Sequence, residues 1–445
     1  MKGSKRDTPI DAELVSRKIT ESGLTQLGKV GIRELVRLVH EIEQETGARY
    51  VKMEMGVPGL PAPEVGIEAQ VEALRTGVAS KYGVIDGLPA LKKEASRFAK
   101  LFLNIDLHES GCIPTIGAMQ GGFLAFMVAN RNNHNRKGTL FIDPGFPVQK
   151  LQCKALGHEY GSFDVYDYRG DKLRPKLESY LKTGEVSSML YSNPNNPAWI
   201  CFTDEELRTI GELSRAYDVT VIEDLAYFGM DFRRDYSQPG KPPFQPTVAH
   251  YTDNYILLLS TSKAFSYAGE RLGVMMVSDR LFNRRYPDLL RYYTTDKFGH
   301  ALVYGALYTL TAGAGHSAQY AVAAMLKAVN DGEYNFVGGV REYEKRASIM
   351  KRHFVENGFQ IVYDTDLDTP IGDGFYFTLS YPGMSGDELA EELLYYGISA
   401  IGLETTGSER TEGLRACVSQ FSLDQETDLA ERLQRFRADH PTGGN

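Results

Sequence analysis

Five apolar residues in a row, Tyr255-Ile256-Leu257-Leu258-Leu259, carry no polar alternation and predict a strand covered on both faces. The run passes into Ser260-Thr261-Ser262-Lys263 and, beyond Gly269-Glu270-Arg271-Leu272-Gly273, a second apolar run, Val274-Met275-Met276-Val277, predicts another strand. Upstream, shorter apolar runs predict strands at 139–143, 189–192 and 219–223. Between the last two, Thr203 followed by Glu206 reads as the capping box of a helix. Residues 8–48 place Ile32, Leu35, Val36, Leu38, Val39 and Ile42 at helical spacing and predict an amphipathic helix with a packing face. A short strand at 50–55 ends in Gly56-Val57-Pro58-Gly59, a turn whose backbone can approach a ligand closely. Tyr82-Gly83-Val84-Ile85-Asp86-Gly87-Leu88 leads into a helix running past Arg97, and the small-residue turn 117–122 opens an apolar helix over 123–129.

The alternation of short apolar strands with helices predicts an α/β domain with a mostly parallel sheet. Residues 330–445 predict a smaller α+β lobe: helix 340–357, a strand at 375–380, helix 387–396 and a strand at 414–419. Ligands of such sheets bind beyond the carboxyl ends of the strands. Three of those ends carry polar chemistry: Asn193-Pro194-Asn195-Asn196-Pro197, Glu223-Asp224-Leu225-Ala226-Tyr227, and the stretch with Lys263. A lysine whose surroundings lower its pKa is a nucleophile toward carbonyl compounds, and an arginine such as Arg271 offers a planar fork to phosphate. A small-residue turn before a helix presents unpaired N–H groups that favour the same anion. Each feature alone has a plainer reading: a loop lysine, a surface ion-pair arginine, close helix packing, an aspartate N-cap.

Composition narrows the class. With 445 residues and 42% hydrophobic content, the chain can bury a core of two or three lobes. A net charge of -9 and a pI near 5.6, without a basic stripe, argue against a nucleic-acid partner. Cys112, Cys153, Cys201 and Cys417 lack the close pairs that a zinc site or redox motif needs, so no metal site is read and the thiols read as reduced filler. No apolar segment follows Met1–Asp7, and no run approaches the ~18 residues of a membrane span. The expectation is a cytoplasmic protein with no membrane segment. Beyond the terminal Pro441-Thr442-Gly443-Gly444-Asn445, no low-complexity tract or internal repeat stands out.

In combination, Tyr82 with Gly87, the Asn-Pro-Asn-Asn-Pro turn, Asp224-x-x-Tyr227, Ser260-x-Ser262-Lys263 with Arg271, and the late Arg415 resemble the fold-type I pyridoxal-phosphate enzymes. Within these, the likeness is to the class I/II aminotransferases of the aspartate aminotransferase group, over about 56–415. The resemblance implies a three-layer fold with a mostly parallel central sheet in a large cofactor-binding domain, 76–329. The smaller α+β domain would be built from both chain ends, 1–75 and 330–445. It implies pyridoxal 5'-phosphate as cofactor, held by Lys263 as an internal aldimine, with Lys263 then moving the proton between Cα and the cofactor. Asp224 would pair with the pyridine nitrogen, Tyr227 and Asn196 with the ring's phenolic oxygen, and Phe146 would stack on the ring. The backbone of Ala118 and Met119, with Ser260, Ser262 and Arg271, would hold the phosphate, and Tyr82 would reach it across a homodimer interface. Arg415 would take the substrate α-carboxylate, helped by Asn196 and the backbone of Gly56.

The implied reaction is transfer of an amino group between an L-amino acid and a 2-oxo acid. The alternatives are a C–S β-lyase or a decarboxylase on the same scaffold, or a cofactor-binding regulatory module without turnover. The sequence departs from the family pattern in two places. Dicarboxylate-specific members carry an arginine where this chain has Tyr308-Thr309-Leu310-Thr311-Ala312-Gly313-Ala314-Gly315-His316; Arg291 or Lys297 are the nearby substitutes. Secondly, Gly402-Leu403-Glu404-Thr405-Thr406-Gly407 replaces the usual turn before the carboxylate arginine. Without that first arginine, and with tyrosines abundant over 286–308, aromatic or branched donors fit better than aspartate.

Overall fold

The apolar runs pair into one seven-stranded sheet in the computed structural model, which describes residues 7–441. Its strands are β1 (Cys112–Thr115), β2 (Gly138–Asp143), β3 (Glu159–Asp164), β4 (Val186–Ser192), β5 (Thr220–Leu225), β6 (Tyr255–Ser260) and β7 (Gly273–Val277). They lie in the order β1-β7-β6-β5-β4-β2-β3, all parallel except β7, which runs antiparallel to both β1 and β6. Val221 and Leu257 point to one face, Ile222 and Leu258 to the other, and all four are buried. Both faces are therefore covered, as a parallel sheet requires. The helix Gly117–Ala129 lies against β6 and β7; Leu124, Ala125, Phe126, Val128 and Ala129 join Ile222, Ile256, Leu258 and Met275 in a single core.

Pairing decides where the polar strand ends fall. Ser192 stands opposite Asp224, Asp224 opposite Leu258, and Ser260 opposite Gly273, so β4, β5 and β6 finish side by side. Because successive side chains alternate, Asp224 shares the face of Ile222, while Glu223 turns to the opposite face. The sheet belongs to a compact unit of Leu60–Asn195 and Ile200–Arg341. A second unit comprises residues up to Gly59, Asn196–Trp199 and the chain from Glu342 on. It holds a four-stranded antiparallel sheet in the order 401–402, 414–417, 376–380, 360–361, together with the parallel pair Val51–Lys52 and Ile398–Ser399.

Several local expectations change. Residues 8–48 form two helices, Ala12–Ser22 and Ile32–Thr46, because Gly23 takes a left-handed conformation (φ 70°) that stops the first. The strand expected at 50–55 shrinks to Val51–Lys52, and 340–357 divides into Phe336–Val340 and Glu342–Glu356. The helix expected from 123 already begins at Gly117, so the small-residue stretch is its first turn rather than a loop. β5 runs through Leu225, placing Asp224 inside the strand instead of after it. β1 and β3 had no clear apolar signature. By contrast, Thr203 and Glu206 form the expected capping box at the start of Asp204–Tyr217. Met1–Arg6 and Thr442–Asn445 lie outside the described residues. No described helix is long and apolar enough to cross a membrane.

Leu258 packs within 3.0 Å of the space that a Cβ on Gly121 would take, which ties β6 to the helix over it. Leu258→Ala should destabilise the protein by about 3 kcal/mol, read as a lower urea midpoint. An unchanged midpoint would contradict this packing.

Candidate active site

The candidate residues form two groups, one in each unit. In the larger unit, Lys263 sits on the short helix Thr261–Ala264 that begins directly after β6, with Ser260 as its cap: the Ser260 hydroxyl accepts from the Ser262 N–H at 3.2 Å. Thr261 Oγ1 donates to Leu272 O at 2.6 Å, and Tyr267 N–H donates to Thr261 O at 3.1 Å, so the loop from Lys263 to β7 is closed onto its own base. Lys263 is half-buried, as suits a side chain that must meet a ligand.

Asp224 is buried at the end of β5. Its Oδ2 accepts from Gln149 Nε2 at 2.9 Å and its Oδ1 from the Ala226 N–H at 3.0 Å. Burial pushes the carboxyl up to about 6, against which both hydrogen bonds act. A cationic nitrogen facing it would hold the ionised form. Tyr227 is buried next to it, and Phe146 caps the helix Pro147–Ala155, which also carries Gln149. Gln149 had no signature in the sequence; it is 75 residues from Asp224, and only the packing of that helix on the sheet brings them together.

Arg271, held in a left-handed conformation (φ 53°), comes against the first turn of Gly117–Ala129. A Cβ on Gly117, itself at φ 67°, would lie 2.7 Å from Arg271 Nη2, and one on Gly273 would lie 2.9 Å from the Ala118 N–H nitrogen. Glycine at both places lets a guanidinium and a helix N-terminus converge. The structure brings Arg271, the Ala118 N–H and Ser260, which stands opposite Gly273, to one place, a set of donors of the kind a phosphate takes, and Asp224 is of the kind that suits a protonated pyridine. The residues of this unit fit pyridoxal 5'-phosphate. Tyr82 stands apart: it is 98% exposed, on the rim of a surface pocket of about 270 Å³ also lined by Lys81, Gly313 and His316.

In the smaller unit, Arg415 occupies the centre of strand Leu414–Cys417 and is 1% exposed. Among the described residues its side chain makes one hydrogen bond, from Nη2 to Glu54 O at 2.5 Å, while Nε has none. A buried guanidinium with donors to spare is costly unless an anion takes them. Its Cζ lies 5.0 Å from the Tyr376 ring centroid. Glu54 is buried as well, with Oε2 accepting from Ser399 Oγ at 2.6 Å, and burial raises its carboxyl above the ordinary range. Asn196 is buried in this unit, and a Cβ on Gly56 would lie 2.3 Å from the Tyr376 hydroxyl. Tyr376 and Trp199, next to Arg415 and Asn196, were not singled out in the sequence. A bulky aromatic two residues past the proline turn was the available signal. Of the substitute cations, Arg291 already pairs with Asp288 at 3.3 Å. Tyr286 is buried and Tyr293 donates to Met127 O at 3.0 Å, whereas Tyr304 and Tyr308 are exposed.

Comparison with known proteins gives the family and the fold. Residues 49–433 match the family model described as aminotransferase class I and II. A probable aspartate aminotransferase of Methanocaldococcus jannaschii is 23% identical over 244 residues, 55% of this chain and 61% of that protein. The glutamate-pyruvate aminotransferase of Escherichia coli is 25% identical over 52% of this chain and 54% of its own length. The aligned part of the chain thus spans little more than half of these relatives. Among solved structures, an alanine aminotransferase from Pyrococcus furiosus superposes with a TM-score of 0.73 at 19% identity, over 92% of this chain and 97% of that one, which establishes the shared fold. With the family model covering most of its length, the chain belongs to the class I and II aminotransferases.

Proposed function

We propose that the protein is a pyridoxal-phosphate-dependent aminotransferase that moves an amino group between an L-amino acid and a 2-oxo acid. The observation that carries this reading is Asp224: a buried carboxylate, fixed by two hydrogen bonds, at the end of the strand adjacent to the one that leads to Lys263. When bound, the cofactor supplies an electron sink for the charge left when the substrate Cα loses its proton. Lys263 would hold the cofactor, and its amine would take the proton from Cα as general base and return it as general acid. Asp224 would stay ionised against the ring nitrogen, with Gln149 fixing its orientation. Ala118, Met119, Ser260, Ser262 and Arg271 would hold the phosphate, Phe146 would cover the ring face, and Tyr227 and Asn196 would each offer a polar group to the phenolic oxygen. Arg415 receives the α-carboxylate in a bidentate pair, with Asn196 and the Gly56 backbone beside it.

We read the protein as a cytoplasmic homodimer in which Tyr82 serves the partner's phosphate. Its near-complete exposure supports this, as do the exposed apolar residues Val65, Ile67, Val71 and Leu74 on the helix Glu64–Arg75. The cofactor-binding domain is read as 76–329, and the smaller domain as 1–75 with 330–445. No arginine lies in 308–316, and aromatic or branched amino donors suit that composition.

Absorbance spectra with single amino acids should show the bound cofactor's visible band exchanged for a near-ultraviolet band, restored by pyruvate or 2-oxoglutarate. A visible band that persists while ammonia and pyruvate accumulate would indicate a β-lyase instead, and amine with carbon dioxide a decarboxylase. Lys263→Ala should lower turnover by a hundredfold or more, about the contribution of a positioned general base; retained turnover would remove Lys263 from its role.

A second expectation concerns pH. The folded value of about 6 for Asp224 lies above its ordinary 3.8, so its contribution to stability is complete below 3.8 and is lost as pH rises through about 6. In cofactor-stripped protein, Asp224→Asn should therefore gain Tm over wild type as pH climbs from about 4 to about 7. With cofactor loaded, the order should reverse at the upper pH, because the ionised carboxylate then meets a cation. A difference independent of pH and of cofactor would contradict the placement of Asp224.

A further inference from the structure

Trp199 combines a strained backbone with complete burial. Its φ is 61°, a left-handed conformation in which a bulky residue is a genuine outlier, and its side chain is 0% exposed. Such strain persists where the surroundings over-determine it, and it concentrates at functional sites. The surroundings here are specific. A Cβ on Gly374 would lie 2.1 Å from Trp199 Cε2, so the indole fills the space that a side chain there would need. The indole meets the Tyr376 ring edge-on, centroids 6.3 Å apart at 66°. Tyr376 in turn lies under the Arg415 guanidinium, with Gly56 giving room to its hydroxyl. Two glycines thus make space for two rings, and the second ring supports the arginine. Simple core filling would need neither the left-handed backbone nor a ring of this size.

We propose that Trp199 is a positioning residue for Arg415: its indole fixes the Tyr376 ring, and that ring holds the guanidinium oriented for a carboxylate ligand. The inference rests on the reading of Arg415 as the carboxylate-binding arginine. Loosening Trp199 frees Tyr376 to rotate, and Arg415 then loses the cation–π contact that orients its fork. The consequence falls on carboxylate affinity, and so on KM, while proton transfer by Lys263 is left intact.

The test uses cofactor-loaded protein with pyruvate as the probe. Trp199 is the only tryptophan in the chain, so the protein's tryptophan emission reports on this residue alone. In wild type, emission should change saturably with pyruvate, with the dissociation constant that calorimetry gives. Trp199→Leu should weaken pyruvate binding about tenfold, the scale of a desolvated cation–π contact. Trp199→Phe should restore binding to near the wild-type value, and the loss in Trp199→Leu should appear in KM for the amino donor rather than in kcat. Trp199→Leu binding pyruvate as wild type does would overturn the proposal. So would wild-type emission that ignores pyruvate while calorimetry records binding, a measurement that stands even if Trp199→Leu does not fold. Arg415→Leu distinguishes the two readings: unchanged pyruvate affinity in that variant removes the carboxylate role from Arg415 itself, and with it the basis for Trp199.

Discussion

Charge buried in a dry, parallel sheet is the constraint that shapes the larger unit. An ionised carboxylate taken out of water costs several kcal/mol unless something repays it. Two adjacent residues of β5 face that cost on opposite faces. Glu223 has donors on one oxygen, its Oε2 accepting from Thr247 Oγ1 at 2.5 Å and from the Val248 N–H at 3.1 Å, while Oε1 is buried without a partner among the described residues, and burial pushes the carboxyl up to about 7. Asp224 receives only the Gln149 and Ala226 donors, on the face of the sheet covered by the helix Gly117–Ala129. Glu223 keeps its proton to a higher pH than Asp224, and a cation facing Asp224 would hold that carboxylate in its ionised form.

The two cations differ in burial, Arg271 being exposed and Arg415 buried. Arg271 reaches the first turn of Gly117–Ala129 because Gly117 and Gly273 have no side chains to obstruct it, and the helix end presents free N–H groups to the same place. Among the described residues no carboxylate pairs with Arg271, so the guanidinium and the helix end together favour a phosphate. In the smaller unit Arg415 is buried with one carbonyl partner and an aromatic ring beneath it. Both arginines keep hydrogen-bonding capacity in reserve, which suits them to anionic ligands.

Much of this was legible in the sequence because it depends on short-range order. An apolar run followed by Ser260-Thr261-Ser262-Lys263 determines a buried strand with a lysine just past its end, and Thr203 with Glu206 determines a helix start. The alternation of strands and helices, together with the spacing of Asp224, Lys263, Arg271 and Arg415, determined fold class and family. Local pattern failed where a single residue outweighs periodicity: Gly23 breaks the helix expected over 8–48, and strands such as β3, with little apolar signature, owe their existence to neighbours that supply hydrogen bonds.

What tertiary structure alone decided is which side chains meet. Pleating sends Asp224 and not Glu223 to the face that carries Gln149, and no one-dimensional pattern links residues 75 positions apart. Trp199, Gly374, Tyr376 and Arg415 likewise come from separate segments. The sequence by itself determined the chemical groups and the order in which strands deliver them. Packing decided their partners, since a hydrogen bond or ring contact depends on distances of a few ångströms between segments that local sequence order does not encode.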